Sequence, residues 1–207
     1  SQYGKHTTHF AAADVEGNWV AITATINTSY GSKVVIPGTG VVMNNEMDDF
    51  AAEPGAPNAF GLLGAEANAV APFKRPLSSM TPTIVSKNGR PVLAVGAAGG
   101  PTIINQVALA IINFIDLQMQ GGAEAEAKGR SLKDALGTPR FHHQWKPNEL
   151  RIERKWDESI RADLKGRGHT LREVEQFGAC QALARHPDGK GLIACPDPRG
   201  LGKAEGL

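Results

Sequence analysis

A chain of 207 residues, 41% hydrophobic and 21% charged, can bury one substantial core and has the composition of an ordinary globular domain. Its 22 basic and 21 acidic residues leave a net charge of +1, so no single-signed field favours nucleic acid or an anionic membrane as partner, and small polar or zwitterionic ligands stay open. The longest strongly apolar run, 107–115, contains Asn113 and is too short to cross a bilayer, and residues 1–6 are polar, unlike a signal sequence.

In chain order, segments 8–15 and 18–27 are rich in Thr, Val, Ile and aromatic residues and are joined by Glu16-Gly17, a pattern that predicts a strand hairpin. Residues 31–40 carry Gly, Ser and Pro and predict a loop before the apolar run Val41-Val42-Met43. From 51 to 72 the residues are mostly Ala, Gly, Pro and Asn with little periodicity. An irregular segment of that length inside a compact domain is usually functional, and a lid is expected. Asn88-Gly89 between 83–87 and 91–96 supplies the positive backbone angles of a two-residue hairpin turn. Gly99-Gly100-Pro101 then opens a run in which Ile103, Ile104, Val107, Ile111, Phe114 and Ile115 recur at helical spacing, which predicts a core helix.

Past Gly121-Gly122 an Ala, Glu and Lys-rich stretch reads as helical, and Ser131-Leu132-Lys133-Asp134 starts a short helix ending at Gly137. Segments 149–153 and 170–174 read as strands on either side of a helix at 157–165, and 181–184 pairs with 191–194 in a last hairpin. Strand pairs joined by hairpins around a central helical region predict an α+β domain of antiparallel sheets with helices packed on them. Cys180 and Cys195 flank the Pro187-Asp188-Gly189-Lys190 turn; centring it on Asp188-Gly189 sets Cys180 opposite Asp197, so a disulfide needs a register shift. Free thiols are the simpler expectation.

Five motifs punctuate these elements: the run 7–14, the block Asn44-Asn45-Glu46-Met47-Asp48-Asp49-Phe50, Pro76-Leu77-Ser78-Ser79-Met80, Gly99-Gly100, and Phe141-His142-His143-Gln144-Trp145. In this order they resemble the small, catalytic subunit of gamma-glutamyltranspeptidase, and the similarity extends over nearly the whole chain from Thr7. The resemblance implies a four-layer αββα sandwich of the N-terminal-nucleophile hydrolase type, of which this chain is one part in a two-chain domain. It divides the chain into a residual precursor or linker segment, 1–6, and a catalytic subunit, 7–207, with its lid near 51–72. It further implies a large subunit from the same precursor, a gamma-glutamyl substrate with an amine or water as acceptor, no cofactor, and a periplasmic or extracellular setting whose targeting segment is not in this chain.

Each motif residue also has a chemical reading. A threonine hydroxyl is a poor nucleophile near neutral pH, and its own free α-amine, with a pKa near ~8, is one base that can activate it. In this chain the nitrogen of Thr7 is an amide, so the resemblance implies that the Thr7 hydroxyl first attacks the carbonyl of His6 and cuts the His6-Thr7 bond. Thr25 and Asn27 alternate with Ile26 and are expected on one face of their strand; the family's matching residues assist the nucleophile's amine and hold the substrate amine. Glu46 and Asp49 form a carboxylate pair suited to an ammonium, which the resemblance assigns to the α-amino group of the substrate. Ser78 and Ser79 follow Lys74-Arg75-Pro76 in a turn that can present donors to an anion, by resemblance the substrate α-carboxylate, together with an arginine of the large subunit.

Gly99 and Gly100 give unhindered N–H groups at a helix start, suited to an oxyanion. Phe60 aligns with a lid position where many members carry an aromatic hydroxyl, so it can cover the pocket without hydrogen-bonding across it. His142 and His143 point to opposite faces of an extended segment with no third ligand spaced nearby, and a packed structural element is expected there rather than a metal site. Two other readings stay open: a related acylase acting on beta-lactam side chains or another gamma-linked substrate, and an unprocessed homologue that binds without turnover.

Overall fold

The computed structural model describes residues 7–119, 131–186 and 189–206. His6 with the rest of 1–6, Gly121-Gly122 with the helical stretch expected after them, and Pro187-Asp188 of the last turn lie outside the described residues.

Strands β1 (Thr7–Ala13) and β2 (Trp19–Thr25) form an antiparallel hairpin in which Thr7 pairs with Thr25 and His9 with Thr23. Its turn is closed by Asn18, whose backbone and side-chain N–H groups both donate to the Asp14 carboxylate, and by Gly17 at φ 91°. Side chains alternate between faces along a strand, so Thr7, His9, Thr23 and Thr25 share one face, while Phe10, Val20 and Ile22 share the other and are exposed. Residues 31–40 form turns, and the apolar run after them contributes a single bridge, Val35 to Val42.

β3 (Thr83–Lys87) and β4 (Arg90–Ala98) are joined by Asn88 and Gly89 at φ 53° and 75°, both positive as the hairpin turn requires. A one-turn 3-10 segment, Gly100–Thr102, leads into helix α1 (Ile103–Met119). The short helix α2 (Leu132–Gly137) begins at the N-cap Ser131, whose hydroxyl and backbone N–H both bond the Asp134 carboxylate. Then come β5 (Phe141–His142), β6 (Leu150–Glu153), α3 (Glu158–Gly166), β7 (Leu171–Val174), β8 (Ala179–Arg185) and β9 (Leu192–Pro196).

The larger sheet is antiparallel and ordered β3-β4-β8-β9. The smaller runs β5-β6-β7, and here connectivity by hairpins alone fails: β6 and β7 pair in parallel. A parallel pair needs a crossover of a dozen or more residues, and the segment holding α3 supplies it.

One face of the larger sheet packs on α1 and α2. Leu93, Val95 and Ala97 of β4, Cys180, Ala182 and Ala184 of β8, and Ile103, Val107, Ala110 and Phe114 of α1 meet in this core. The opposite face of β4 lies under the β1–β2 hairpin, where the His9 ring sits so close to Gly96 that a Cβ there would come within 2.2 Å of its Nδ1. Hairpin, sheet and helices thus stack as three layers of an α+β sandwich. Helix α1 runs beyond the apolar run that announced it, to Met119; Ile103, Val107, Ala110, Phe114 and Leu117 are buried, whereas Ile104 and Ile115 of the expected core pattern are exposed with Ile112. By length and apolarity the Gly100–Met119 segment could cross a bilayer; in this fold one side of it is core.

The last hairpin keeps the expected register. Cys195 pairs with Ala182, the Cys180 N–H donates to Asp197 Oδ2 at 2.7 Å, and both thiols are free. Burial pushes the Cys180 thiol up to about 11, so it is an inert core group.

Candidate active site

Thr7 ends the inward face of β1, and cross-strand pairing puts Thr25 directly opposite it. Their hydroxyl oxygens are 3.0 Å apart. Thr25 Oγ1 also accepts the Asn27 N–H at 2.9 Å, which one strand alternation would not have produced. Asn27 has left the strand and adopts φ 74°, a left-handed conformation that asparagine tolerates. The expectation that Thr25 and Asn27 share a strand face is therefore corrected: β2 ends at Thr25, Asn27 takes a left-handed backbone beyond it, and both side chains border one cavity. Asn27 Nδ2 donates to Asn45 O, and Thr28 bonds Asn45 Oδ1 through its N–H and its hydroxyl, tying the end of β2 to the acidic block.

That block is a single 3-10 turn, Glu46–Asp49, which sets its acids close together. Burial raises the pKa of both Glu46 and Asp49. For Glu46 the Asp49 charge adds to the rise; for Asp49 a hydrogen bond with Asn27 opposes it and the Asp48 charge adds to it. Glu46 Oε1 is buried without a partner. Of the two, Asp49 is the carboxylate that borders the cavity and that an entering ammonium would meet.

A cavity of about 300 Å³ gathers these elements. Thr7, Thr25, Asn27, Asp49, Ser78, Ser79, Gly100 and Phe60 all line it, whereas Glu46 and Gly99 stand outside the lining. Gly99 and Gly100 take φ 146° and 56° at the entry to the 3-10 turn before α1, the first an angle that only glycine adopts readily and the second a left-handed one that favours it. The Ser78-Ser79 turn is stitched to the acidic block by Asn68, which donates to Asp49 O at 2.8 Å and accepts the Leu77 N–H at 3.0 Å. Lys74 does not serve the cavity: its ammonium donates to Ala67 O and Ala69 O.

The segment expected as a lid has little regular structure beyond bridges and one 3-10 turn, Glu66–Asn68. Residues from Ala51 to Gly64 line much of the cavity. Asn58 Oδ1 accepts the N–H groups of Phe60 and Leu62, so the tip is a defined turn, and Asp48 Oδ2 accepts the Ala59 N–H at 3.3 Å. Asp48, which also lines the cavity, and Asn68 carry site geometry that their residue types alone do not announce; Asp48 lies within the acidic block 44–50, whereas Asn68 belongs to no motif.

His142 and His143 are hydrogen-bonded framework. His142 is buried between Asn105 Oδ1 (2.6 Å) and Gln144 Oε1 (3.0 Å), with its ring edge on Phe177, and His143 bonds Asn148 Oδ1. Burial lowers the His142 pKa.

A family model described as gamma-glutamyltranspeptidase matches residues 1–207. The chain is similar to the glutathione hydrolase proenzyme of Escherichia coli (strain K12), 43% identical over 195 residues, covering 94% of this chain and 32% of that protein. Among solved structures it is similar to a mutant of Helicobacter pylori gamma-glutamyltranspeptidase, with 43% identity and a TM-score of 0.84 over 93% of this chain and 100% of that one. It is also similar to the gamma-glutamyltranspeptidase of Pseudomonas nitroreducens complexed with L-DON, at 36% identity and a TM-score of 0.84 over 97% and 99%. The chain spans about a third of the length of the proenzymes it matches.

Proposed function

Because this chain belongs to the gamma-glutamyltranspeptidase family, we propose that it is the catalytic part of an enzyme that hydrolyses or transfers gamma-glutamyl groups of glutathione and related compounds. The observation that carries the reading is the Thr7 hydroxyl, 3.0 Å from the Thr25 hydroxyl, on a cavity whose other walls are Gly100, Asp49 and the Ser78-Ser79 turn.

In the proposed sequence the Thr7 hydroxyl attacks the His6 carbonyl, the His6-Thr7 amide shifts to an ester, and water cleaves it. The freed α-amine then takes the hydroxyl proton as Thr7 Oγ1 attacks the gamma-carbonyl of the substrate. Negative charge on that carbonyl oxygen meets the N–H groups of Gly99 and Gly100. The protonated amine returns its proton to the departing amine, leaving a gamma-glutamyl ester on Thr7. Water or an acceptor amine attacks the ester and restores the hydroxyl.

Asp49, backed by Glu46, and Asn27 receive the substrate α-ammonium, and Ser78 and Ser79 its α-carboxylate with help from an arginine of a large subunit cut from the same precursor. Paired acids facing paired hydroxyls favour an amino-acid head group over a beta-lactam side chain. Phe60 covers the pocket by apolar contact. A periplasmic or extracellular setting belongs to the same proposal, and fractionation of the native source tests it.

The reading is tested with Thr7→Ala in the full-length precursor. Self-cleavage and turnover of a gamma-glutamyl anilide are expected to vanish while the melting temperature stays close to that of the unaltered protein. Appreciable turnover by the variant, or a persistent His6-Thr7 bond in an active unaltered enzyme, would defeat it.

A further inference from the structure

Behind the Gly99-Gly100 turn, on the side away from the cavity, lies a buried polar relay with no motif of its own. Thr102 Oγ1 donates to Gly99 O at 2.7 Å, and the Thr102 N–H reaches the same carbonyl at 3.3 Å. Gln106 Nε2 donates to Thr102 Oγ1 at 2.9 Å and to Ala98 O at 3.1 Å. Both side chains are 1% exposed. Gln106 Oε1 accepts from Arg140 Nη1 at 3.1 Å, and Arg140 Nη2 pairs with Asp197 Oδ2 at 2.5 Å. Arg140 donates but cannot accept, so it fixes which end of the Gln106 amide faces the glycine turn.

We infer that Gln106 and Thr102 are positioning residues that aim the backbone N–H groups of Gly99 and Gly100 at the cavity; this rests on the acyl transfer proposed above. A trans peptide is planar, with its C=O and N–H pointing in opposite directions. The Ala98 carbonyl shares a plane with the Gly99 N–H, and the Gly99 carbonyl shares one with the Gly100 N–H. Drawing both carbonyls into the core with buried donors turns both N–H groups away from it. Glycines at φ 146° and 56° have no preference of their own that would hold this arrangement, so the donors supply it.

The relay is also built to close tolerance. A Cβ on Gly99 would lie 2.5 Å from Gln106 Nε2 and 2.7 Å from Thr102 Oγ1. A Cβ on Gly178 would lie 1.7 Å from Ala98 O and 2.7 Å from Gln106 Nε2. Glycine at both positions lets the amide of Gln106 reach the backbone it holds.

The test compares Thr102→Val, which removes the donor at nearly constant shape, with Thr102→Ser, which keeps it, and with Gln106→Glu, which keeps an acceptor for Arg140 but loses both donors. Each is made in the full-length precursor and assayed with a gamma-glutamyl anilide. A misaimed donor costs transition-state binding, so Thr102→Val and Gln106→Glu are expected to lower kcat at least about tenfold with KM within about twofold. Thr102→Ser is expected to recover kcat to within about threefold, and the Thr102→Val/Gln106→Glu double variant to be no slower than about twofold below the worse single, since both break one relay.

A lower melting temperature with unchanged kcat, or failure of serine to rescue, overturns the positioning role. Should Gln106→Glu not fold, the Thr102 pair decides alone. Absence of turnover in the unaltered protein instead overturns the acyl-transfer reading itself, and the two failures are thereby told apart.

Discussion

A hydroxyl becomes a nucleophile only where its proton has somewhere to go, and at Thr7 the neighbouring hydrogen bonds limit the choices. Thr25 Oγ1 accepts the Asn27 N–H and lies 3.0 Å from Thr7 Oγ1, within hydrogen-bonding distance of the hydroxyl. Thr25→Val removes that contact at nearly constant volume. A lost bond of about 1.5–3 kcal/mol to a group charged in the reaction corresponds to a kcat lower by about 10 to 100-fold, with KM little changed in steady-state assays. An unchanged kcat would mean that Thr25 only packs.

His9, one inward position along from Thr7, bonds Thr23 Oγ1 at 2.8 Å, while its Nε2 is buried without a partner and burial holds its pKa down at about 4. The native state therefore binds this proton more weakly than the unfolded chain, whose value lies near 6.5. The contribution is complete above that value and is lost as pH falls toward 4, by up to about 1.4 kcal/mol per pH unit. Melting temperatures between pH 4 and 7 are expected to fall more steeply for the unaltered protein than for His9→Gln; parallel curves would contradict the assignment. Thr7 was legible in the sequence because a motif carries it, whereas Thr25 and Asn27 were singled out by strand alternation and the family resemblance, and the turn of the backbone between them was not foreseen. Gln106 and Arg140 were not, because their meaning comes from a contact across 34 positions that no local pattern records.

Between single residues and the fold stand three short elements that meet at the cavity: the acidic turn, the lid and the Ser78-Ser79 turn. Asp48 holds the lid at Ala59, and Asn68 ties the Ser78-Ser79 segment to Asp49, so the proposed ammonium and carboxylate ends of the site are fixed to each other. The raised pKa of Asp49 carries a stability consequence. A native state that keeps a proton longer than the unfolded chain has its full contribution at low pH and loses it as pH rises through the raised value. Asp49→Asn is thus expected to raise the melting temperature of the unliganded protein at neutral pH while weakening substrates with a free α-amine by about 10 to 100-fold. Equal losses for a des-amino analogue, measured by inhibition constants, would contradict the ammonium role. At this scale the hairpins were legible because Asn88-Gly89 and the alternating strands declare themselves locally. The parallel pairing of β6 with β7 was not, since strand direction follows from how α3 packs and not from the strand residues.

Over the whole molecule, the β1–β2 hairpin has one face on β4 and β8 and the other turned outward with Phe10, Val20 and Ile22 exposed. Together with a chain about a third as long as the proenzymes it matches, this suits a sandwich completed by the proposed large subunit. Ile22→Lys is expected to weaken retention of that subunit on co-purification and to slow self-cleavage; unchanged retention would place the interface elsewhere. What holds the proposal together is that the Thr7 oxygen itself carries the acyl group once its nitrogen has been freed. Mass spectrometry of the enzyme quenched during turnover of a gamma-glutamyl anilide reads this most directly. The expected result is a peptide that begins at Thr7 and carries one gamma-glutamyl group on that residue; an acyl group on any other residue, or an active enzyme in which Thr7 is still joined to His6, would contradict it.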